Sequence, residues 1–436
     1  MSQVADQTHH PSRTPVCFQR HSAVLMRIEC WGGFAFHRDR GELLELDQQA
    51  FDVLAGLSRV TELRDLVAVA RGGAKHSPRL PELAGLLQYL EQRGFVERVP
   101  VNIDPGRCSA ICCNTADRSP DGLRTAAPQD RELSAPLVAH WAVTYRCNLA
   151  CSFCYSGSSP NREREPAEEV RTRIVQRLAD WGVFEVALGG GEPTILSDFP
   201  ELLAAIRRHG MVPNVTTNGM LNSAKVLHAL AEHVGTVHLS ADRSDLLDAA
   251  RGAGVAARIK ETACRLFTFN VRWGVNLLLT PHNAQSLDQS LVELQDLGAT
   301  AITLLRPKGP WAAQNWPGFP TRRDLRSIAA AVKRFMKRRP ALRLYVDTAL
   351  RGEWSRAGLL DDPEPDVLGC GGGQRHVAIT PIGDVYPCSH CRWNDLRMGN
   401  LLRDGLEQIW LAGRGQAARR RYAKLCCGTT CPCHPG

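Results

Sequence analysis

The middle of the chain alternates short apolar stretches with longer amphipathic ones. Six apolar stretches predict strands, at 137–143, 183–188, 211–216, 234–240, 271–280 and 300–305. Apolar positions on one face predict helices at 166–181, 198–209, 222–233, 283–297 and 321–338. Because strands that alternate with helices form parallel βα units, the pattern predicts an α/β fold. Six such units build a partial (β/α)6 TIM-like barrel, which we assign to residues 136–345.

The first hundred residues carry a different pattern. Three apolar stretches predict a small sheet, at 23–31, 33–37 and 42–46. Asp47 is placed to cap a first helix, a second is predicted over about 61–70, and a third over 81–93. The sequence therefore predicts an α+β, winged-helix-like domain over residues 21–100.

Two segments show neither the strand nor the helix period. Residues 1–20 are polar and are predicted to be disordered. Residues 101–135 contain scattered prolines and charges, which is typical of a tether between domains. The tether contains three cysteines to which the sequence assigns no role, Cys108, Cys112 and Cys113.

Length, composition and charge narrow the class of protein. A chain of 436 residues is long enough for two or three domains, and 44% apolar with 22% charged residues is ordinary for a soluble protein. The sequence has neither a signal peptide nor an apolar run near the ~20 residues of a membrane helix, so we predict a cytoplasmic protein with no membrane partner. The net charge of +8 is concentrated at 333–339 and 414–424. Such stretches are typical of solvated helix faces, and we predict no nucleic-acid partner.

Three of the 16 cysteines follow the first barrel strand directly. Cys147, Cys151 and Cys154 have the spacing C-x3-C-x2-C, at a strand end where barrels carry their chemistry. In a reducing cytosol, cysteines at such spacing indicate metal ligands rather than disulfides. Three thiolates can hold a [4Fe-4S] cluster and leave its fourth iron open. A structural zinc site would need four ligands, and only one C-x2-C pair is present locally.

The segment Thr144–Tyr155 closely resembles the cluster loop of the radical S-adenosylmethionine (radical SAM) superfamily, through its cysteine spacing and Phe153. The resemblance implies a catalytic [4Fe-4S] cluster on Cys147, Cys151 and Cys154, whose open iron is chelated by S-adenosylmethionine. It implies that the reduced cluster cleaves this cofactor to a 5'-deoxyadenosyl radical, which takes a hydrogen atom from the substrate. It also implies an electron donor such as flavodoxin or ferredoxin.

Further residues match positions at which this superfamily binds the cofactor. The G-G-E-P segment at the end of the second strand resembles the motif that binds the methionyl amino group, which implies that role for Gly190, Gly191, Glu192 and Pro193. Polar residues at later strand ends match contacts to the ribose and carboxylate, namely Thr217, Asn218 and Ser240. Tyr155 is expected to contact adenine through its backbone. Asn276 and Arg306 face either the cofactor or the outer helices, because register is undecided.

The last ninety residues are rich in cysteine. A predicted hairpin at 377–388 and the M-G-N-L segment at 398–401 resemble the SPASM domain, which we assign to residues 346–436. The resemblance implies one or two auxiliary [4Fe-4S] clusters, with ligands Cys370, Cys388, Cys391, Cys426, Cys427, Cys431 and Cys433.

The cysteine-rich tail departs from the SPASM pattern in two respects. From Cys426 it has the spacing C-C-x3-C-x-C, which leaves His390, His434 or the substrate open as a further ligand. A zinc knuckle with Cys388 and its C-x2-C partner also stays open. Ser389 occupies the place of an aspartate that sulfatase-maturing members keep, which argues against oxidation of a substrate side chain to formylglycine.

The order of elements in residues 21–100, with W-G-G at 31–33, resembles the PqqD-like domain. That domain binds leader peptides of ribosomally made precursors by strand addition. A winged-helix DNA-binding module has a similar pattern, but the helix at 81–93 carries few cations for phosphates. We therefore predict a radical SAM maturase that installs a carbon-carbon, carbon-sulfur or carbon-oxygen cross-link in a precursor peptide. The alternatives are a radical SAM enzyme acting on a small molecule, and a zinc-bound, non-enzymatic DNA-binding regulator.

Overall fold

The computed structural model describes eleven segments of the chain, namely residues 17–62, 65–66, 80–99, 132–151, 153–163, 165–307, 320–338, 342–347, 350, 371–392 and 394–425. The chain divides into two compact units, Met1–Arg131 and Glu132–Gly436. Several cysteines singled out in the sequence lie outside the described residues, namely Cys108, Cys112, Cys113, Cys370, Cys426, Cys427, Cys431 and Cys433.

The described residues of the first unit form two antiparallel sheets of three strands each. Its strands are β1 (Cys17–Arg20), β2 (Val24–Glu29), β3 (Gly32–His37), β4 (Glu42–Asp47), β5 (Thr61–Glu62) and β6 (Val96–Val99), and its helices are α1 (Gln48–Gly56) and α2 (Leu80–Gln92). One sheet has the order β5-β1-β6 and the other the order β2-β3-β4. The predicted three-stranded sheet is therefore confirmed as β2, β3 and β4.

The helices of the first unit close one apolar core. The Asp47 carboxylate accepts a hydrogen bond of 2.8 Å from the Ala50 N–H, which confirms the predicted cap of α1. Apolar side chains of both helices pack with the strands, among them Phe51, Leu54, Leu83, Leu87 and Leu90. The predicted third helix is thus confirmed as α2.

Two segment boundaries that were predicted for the first unit are wrong. Residues 17–20 form β1 instead of continuing the disordered N-terminus, and Thr61–Glu62 forms β5 instead of starting a helix. β1 pairs with both β5 and β6, which are distant in the chain. A strand of this length is too short to show a period of its own, and it forms because of pairing with distant residues.

The second unit is built on one sheet of ten strands. These are β7 (Val138–Thr144), β8 (Glu185–Gly190), β9 (Val212–Thr217), β10 (Val237–Ser240), β11 (Trp273–Leu278), β12 (Ala301–Leu305), β13 (Arg343–Val346), β14 (His376–Ile379), β15 (Asp384–Tyr386) and β16 (Gly399–Asn400). The spatial order is β13-β12-β11-β10-β9-β8-β7-β14-β15-β16. β7 to β13 are parallel neighbours in chain order. The α/β fold with its six predicted barrel strands is confirmed, and β13 adds a seventh.

Helices connect the parallel strands. They are α3 (Glu168–Asp180), α4 (Phe199–Arg208), α5 (Ala224–His233), α6 (Ser244–Arg251), α7 (Val255–Thr268), α8 (Pro281–Ala284), α9 (Leu287–Asp296), α10 (Arg322–Arg338) and, near the C-terminus, α11 (Gly413–Leu425). The sequence did not predict α6 and α7. The single helix predicted at 283–297 is two helices: a capping box of Thr280 and Asn283 starts α8 at Pro281, and α9 starts separately after Ser286.

The C-terminal hairpin extends the barrel sheet. β14 and β15 pair antiparallel, as predicted for the hairpin, and β14 pairs parallel with β7 from Val138 to Trp141. The strand that precedes the cysteine trio therefore has a neighbour on both sides, β8 and β14. Within the described residues, the helices are all too short or too polar to cross a membrane.

Candidate active site

A cavity of about 740 Å³ lies inside the partial barrel of the second unit. Eleven of the predicted site residues line it: Cys147, Cys151, Cys154, Tyr155, Gly190, Gly191, Glu192, Thr217, Asn218, Ser240 and Cys388. Asn276 and Arg306 line it too, so both face the barrel interior. Pro193 lies just behind this lining, buried at the start of a short 3-10 turn.

The three cysteines lie on one loop after β7, and each is half-buried. The loop is held by its backbone, since the Cys147 N–H donates to the Ser159 carbonyl at 3.2 Å and the Cys154 N–H to the Cys151 carbonyl at 3.1 Å. The Leu149 N–H lies 3.4 Å from the Cys147 sulfur. Hydrogen bonds to cluster sulfurs are one means by which a protein adjusts a reduction potential.

Two further polar groups reach the sulfurs of this loop. Asn218 Nδ2 lies 3.6 Å from Cys147 Sγ and donates to Asn148 Oδ1 at 2.8 Å. Ser156 Oγ lies 3.2 Å from Cys154 Sγ. Asn218, predicted as a cofactor contact, thus also supports the loop that carries the thiols.

The chemistry of the loop fits an iron-sulfur cluster. Burial raises the pKa of Cys147 to about 11 and also raises the pKa of Cys151, so both thiols hold their protons until a metal displaces them. In the part of the chain that the structure describes, no three Cys, His, Asp or Glu side chains converge on the position of one metal ion. A [4Fe-4S] cluster takes each thiolate on a different iron, so three separate cysteines on one loop suit it.

Two glycines let the end of β8 pack against the backbone that leads to Cys147. A Cβ on Gly190, whose φ is +104°, would lie 2.5 Å from the Thr144 carbonyl oxygen. A Cβ on Gly191 would lie 1.9 Å from the Arg146 carbonyl oxygen. Gly189, in contrast, has no atom within 4 Å of such a Cβ and lines the cavity. The glycines at 189–191 were predicted to let the backbone approach a ligand, and of the three only Gly189 has open space at its Cβ position.

Glu192 lies at the centre of a buried hydrogen-bond network and is only 1% exposed. Oε1 accepts from Thr217 Oγ1 at 2.7 Å and from Thr194 Oγ1 at 2.6 Å, and Oε2 accepts from the Asn218 N–H at 2.7 Å. Burial raises the pKa of Glu192, and these hydrogen bonds oppose that rise. The Glu192 side chain therefore connects the end of β9 with the turn that follows Gly191. Its contact to the methionyl amine stays a prediction.

Glu192→Ala is expected to lower the free energy of unfolding by about 3 kcal/mol, because it leaves several buried donors without an acceptor. Chemical denaturation of the purified apoprotein measures this. Glu201→Ala is the matched control, since Glu201 is exposed and forms a surface ion pair with Lys225. Equal stability of the two variants would contradict the structural role of Glu192.

Polar side chains also form a row across the strand ends. Ser240 of β10, Asn276 of β11 and Thr303 of β12 are direct neighbours in register, and all three line the cavity. Three histidines deeper in the barrel line it as well, His140, His238 and His376. They could not be predicted, because a single histidine in a strand does not reveal which face it occupies.

The loop after β15 contacts the cysteine loop. The rings of Tyr155 and His390 have centroids 4.4 Å apart, and burial raises the pKa of Tyr155 to about 12. The Arg392 guanidinium lies 4.8 Å from the Tyr145 ring centroid. Cys388 and Cys391 flank His390 and are both buried. The two described cysteines of the C-terminal extension therefore lie on a loop packed against the end of the cysteine trio.

Comparison with known proteins identifies the family. The profile of the Radical SAM superfamily matches residues 141–291, and that of the SPASM iron-sulfur cluster-binding domain matches residues 370–433. Mycofactocin maturase MftC of Mycolicibacterium smegmatis is 31% identical over 295 residues, which cover 64% of this chain and 71% of that protein. The chain belongs to the radical SAM superfamily. It is an enzyme, and its cofactors are S-adenosylmethionine and iron-sulfur clusters.

Other radical SAM proteins extend the likeness. A PqqA peptide cyclase of Xanthomonas euvesicatoria is 30% identical over 286 residues, covering 64% of this chain and 75% of that protein. The crystal structure of Streptococcus suis SuiB bound to the precursor peptide SuiA superposes with a TM-score of 0.65. That match covers 92% of this chain and 90% of SuiB at 18% identity, which is a likeness of fold.

Proposed function

We propose that this radical SAM enzyme matures a ribosomally synthesised precursor peptide by installing a carbon-carbon, carbon-sulfur or carbon-oxygen cross-link. The observation that carries this proposal is that a single cavity is lined both by the cysteine trio and by Cys388 of the C-terminal extension. A site for hydrogen abstraction and a site for electron removal then share one chamber. The names of the relatives, mycofactocin maturase and PqqA peptide cyclase, and the peptide-bound SuiB structure support a peptide substrate.

Within this proposal, Cys147, Cys151 and Cys154 hold the catalytic [4Fe-4S] cluster. When bound, the cluster and S-adenosylmethionine supply a 5'-deoxyadenosyl radical that takes a hydrogen atom from an unactivated carbon. The chain supplies position and exclusion of water: Asn218 holds the Cys147 loop, and the open space at Gly189 receives the ligand. The remaining cofactor contacts are assigned to Tyr155, Gly190, Gly191, Glu192, Pro193, Thr217 and Ser240.

The C-terminal extension is assigned one or two auxiliary clusters. Cys388 and Cys391 are the described members of that ligand set, and both are buried. The His390 N–H lies 3.4 Å from Cys388 Sγ, so this loop already directs a backbone donor at a ligand sulfur. Held by these cysteines beside the cavity, such a cluster would supply an acceptor for the electron that an oxidative cross-link releases.

Residues 21–100 are assigned to leader binding. In the sheet β2-β3-β4, the outer strands β2 and β4 each pair with β3 alone among the described strands. A strand with one neighbour can take an added peptide strand on its other side, where main-chain hydrogen bonds give affinity. A flavodoxin or ferredoxin is assigned as electron donor.

Mass spectrometry tests the proposed reaction. The enzyme, reconstituted anaerobically with iron, sulfide and reductant, is given short peptides encoded by open reading frames next to its gene. We expect 5'-deoxyadenosine and a peptide lighter by two hydrogens, with fragment ions that locate the cross-link. Production of 5'-deoxyadenosine without any change of the peptide would contradict the proposal and favour a small-molecule substrate.

Deletion of residues 1–100 tests the leader assignment. Because the leader holds the precursor at the enzyme, the truncated enzyme is expected to lose at least about tenfold in turnover of the full precursor. Turnover of a leaderless core peptide, which is low in both proteins, serves as the internal control. Unchanged turnover of the full precursor would contradict the assignment.

A further inference from the structure

His238 lies on β10, two residues before Ser240, and lines the cavity. Its direct neighbours in register are Thr216 of β9 and Gly274 of β11. Gly274 has no side chain, because a Cβ there would lie 2.8 Å from the Ala301 carbonyl oxygen. Ala301 fills the position that such a Cβ would take, and His238 lies one layer below the row of polar side chains at the strand ends.

The imidazole is not tied into the protein. Nδ1 is buried and makes no hydrogen bond within the part of the chain that the structure describes. A histidine placed for structure normally donates or accepts at this atom, which fixes its tautomer. With Nδ1 buried and the ring on the cavity wall, Nε2 is the nitrogen that a bound peptide can reach.

The His238 ring is neutral, which is the state from which a histidine can accept a proton. Burial lowers its pKa. The ring is therefore neutral near pH 7 and can receive a proton. Ser240, Asn276 and Thr303 in the layer above carry no ionisable group that could take this role.

We propose that His238 Nε2 accepts the proton released when the cross-link forms; this inference rests on the proposed function. In such a reaction one hydrogen leaves the peptide as an atom and ends on 5'-deoxyadenosine. The peptide radical then forms the new bond to a second residue. The radical that remains after bond formation then loses one proton, to His238, and one electron, to an iron-sulfur cluster of the C-terminal extension. The peptide loses two hydrogens, S-adenosylmethionine becomes methionine and 5'-deoxyadenosine, and the electron spent on cleavage equals the one recovered.

The test separates proton removal from radical generation in the full-length, reconstituted enzyme. His238→Gln keeps the size and polarity of the side chain but cannot take a proton. We expect 5'-deoxyadenosine formation to continue while cross-linked peptide per 5'-deoxyadenosine falls at least tenfold. His228→Gln, on an exposed position of α5, is the control and should match the wild type.

A second variant adds a readout that a structural role would not move. His238→Ala leaves a hole next to Gly274, and added imidazole is expected to restore cross-linking per 5'-deoxyadenosine. Iron content and the S-adenosylmethionine dissociation constant of both variants should equal those of the wild type. An unchanged product ratio in His238→Gln, or a parallel loss of both products, would overturn the inference. A wild-type enzyme that makes 5'-deoxyadenosine but no lighter peptide would instead overturn the proposed function.

Discussion

Replacing Cys147, Cys151 or Cys154 by alanine is expected to abolish 5'-deoxyadenosine formation and to lower the iron content by about four atoms per chain. In the proposed [4Fe-4S] cluster each thiolate would bind its own iron, and the three cysteines lie on one loop that faces the cavity. Loss of one ligand leaves two thiolates to hold a cluster that already has an open iron. Iron analysis, electron paramagnetic resonance of the reduced protein and chromatography of 5'-deoxyadenosine measure the outcome.

Cys264→Ala provides the matched control for this prediction. Cys264 is exposed on α7, and its removal should change neither iron content nor turnover. Cys388→Ala gives the complementary result, with loss of auxiliary iron but continued cleavage of S-adenosylmethionine. A Cys147→Ala enzyme that keeps both full iron content and turnover would show that the cysteine trio is not the catalytic centre.

Gly191→Ala is expected to prevent cluster assembly although it changes no ligand. Its Cβ would lie 1.9 Å from the Arg146 carbonyl oxygen, and neither a Cβ nor a backbone carbonyl can rotate aside. The displaced segment leads directly into Cys147, and the Glu192 N–H would also lose its 3.0 Å bond to Arg146. Overpacking of this kind costs about 1–3 kcal/mol or more. We expect a lower melting temperature and at least about tenfold less bound cluster, measured by calorimetry and by iron analysis.

Gly189→Ala tests whether the effect comes from this clash. The neighbouring glycine has nothing within 4 Å of an added Cβ, so the variant should fold and bind iron like the wild type. Its methyl group would enter the cavity, and cross-linking of the peptide should therefore decrease with the cluster intact. If both alanine variants lose the cluster equally, the packing of Gly191 on Arg146 is not the cause.

Local patterns in the sequence predicted those elements whose signal is local. Alternation within one strand located β7 to β12, and Asp47 marked the start of α1 because a cap is a contact across three residues. β1 was missed because its two partners lie far along the chain. α7 was missed although Val255, Ile259, Ala263 and Leu266 recur on one buried face, and Gly252 and Gly254 separate it from the short α6.

The candidate site also has parts that a local sequence pattern predicts and parts that depend on how the strands are arranged. Cysteine spacing is a property of one loop and was sufficient to indicate the cluster. The contacts of Glu192 with Thr217 and Asn218 join residues from different strand ends, so they depend on how the strands are arranged. His238 could not be assigned for a further reason, because only the register of β10 shows that it faces inward.

The pairing of β14 with β7 bears on how the enzyme is made. During synthesis on the ribosome, β7 emerges early, but its second partner follows only after residue 376 has been added. Until then one side of β7 is an unpaired edge, which is a site for aggregation and for misplaced strands. We expect the cysteine loop to reach its final support, and so to accept iron, only late in or after translation.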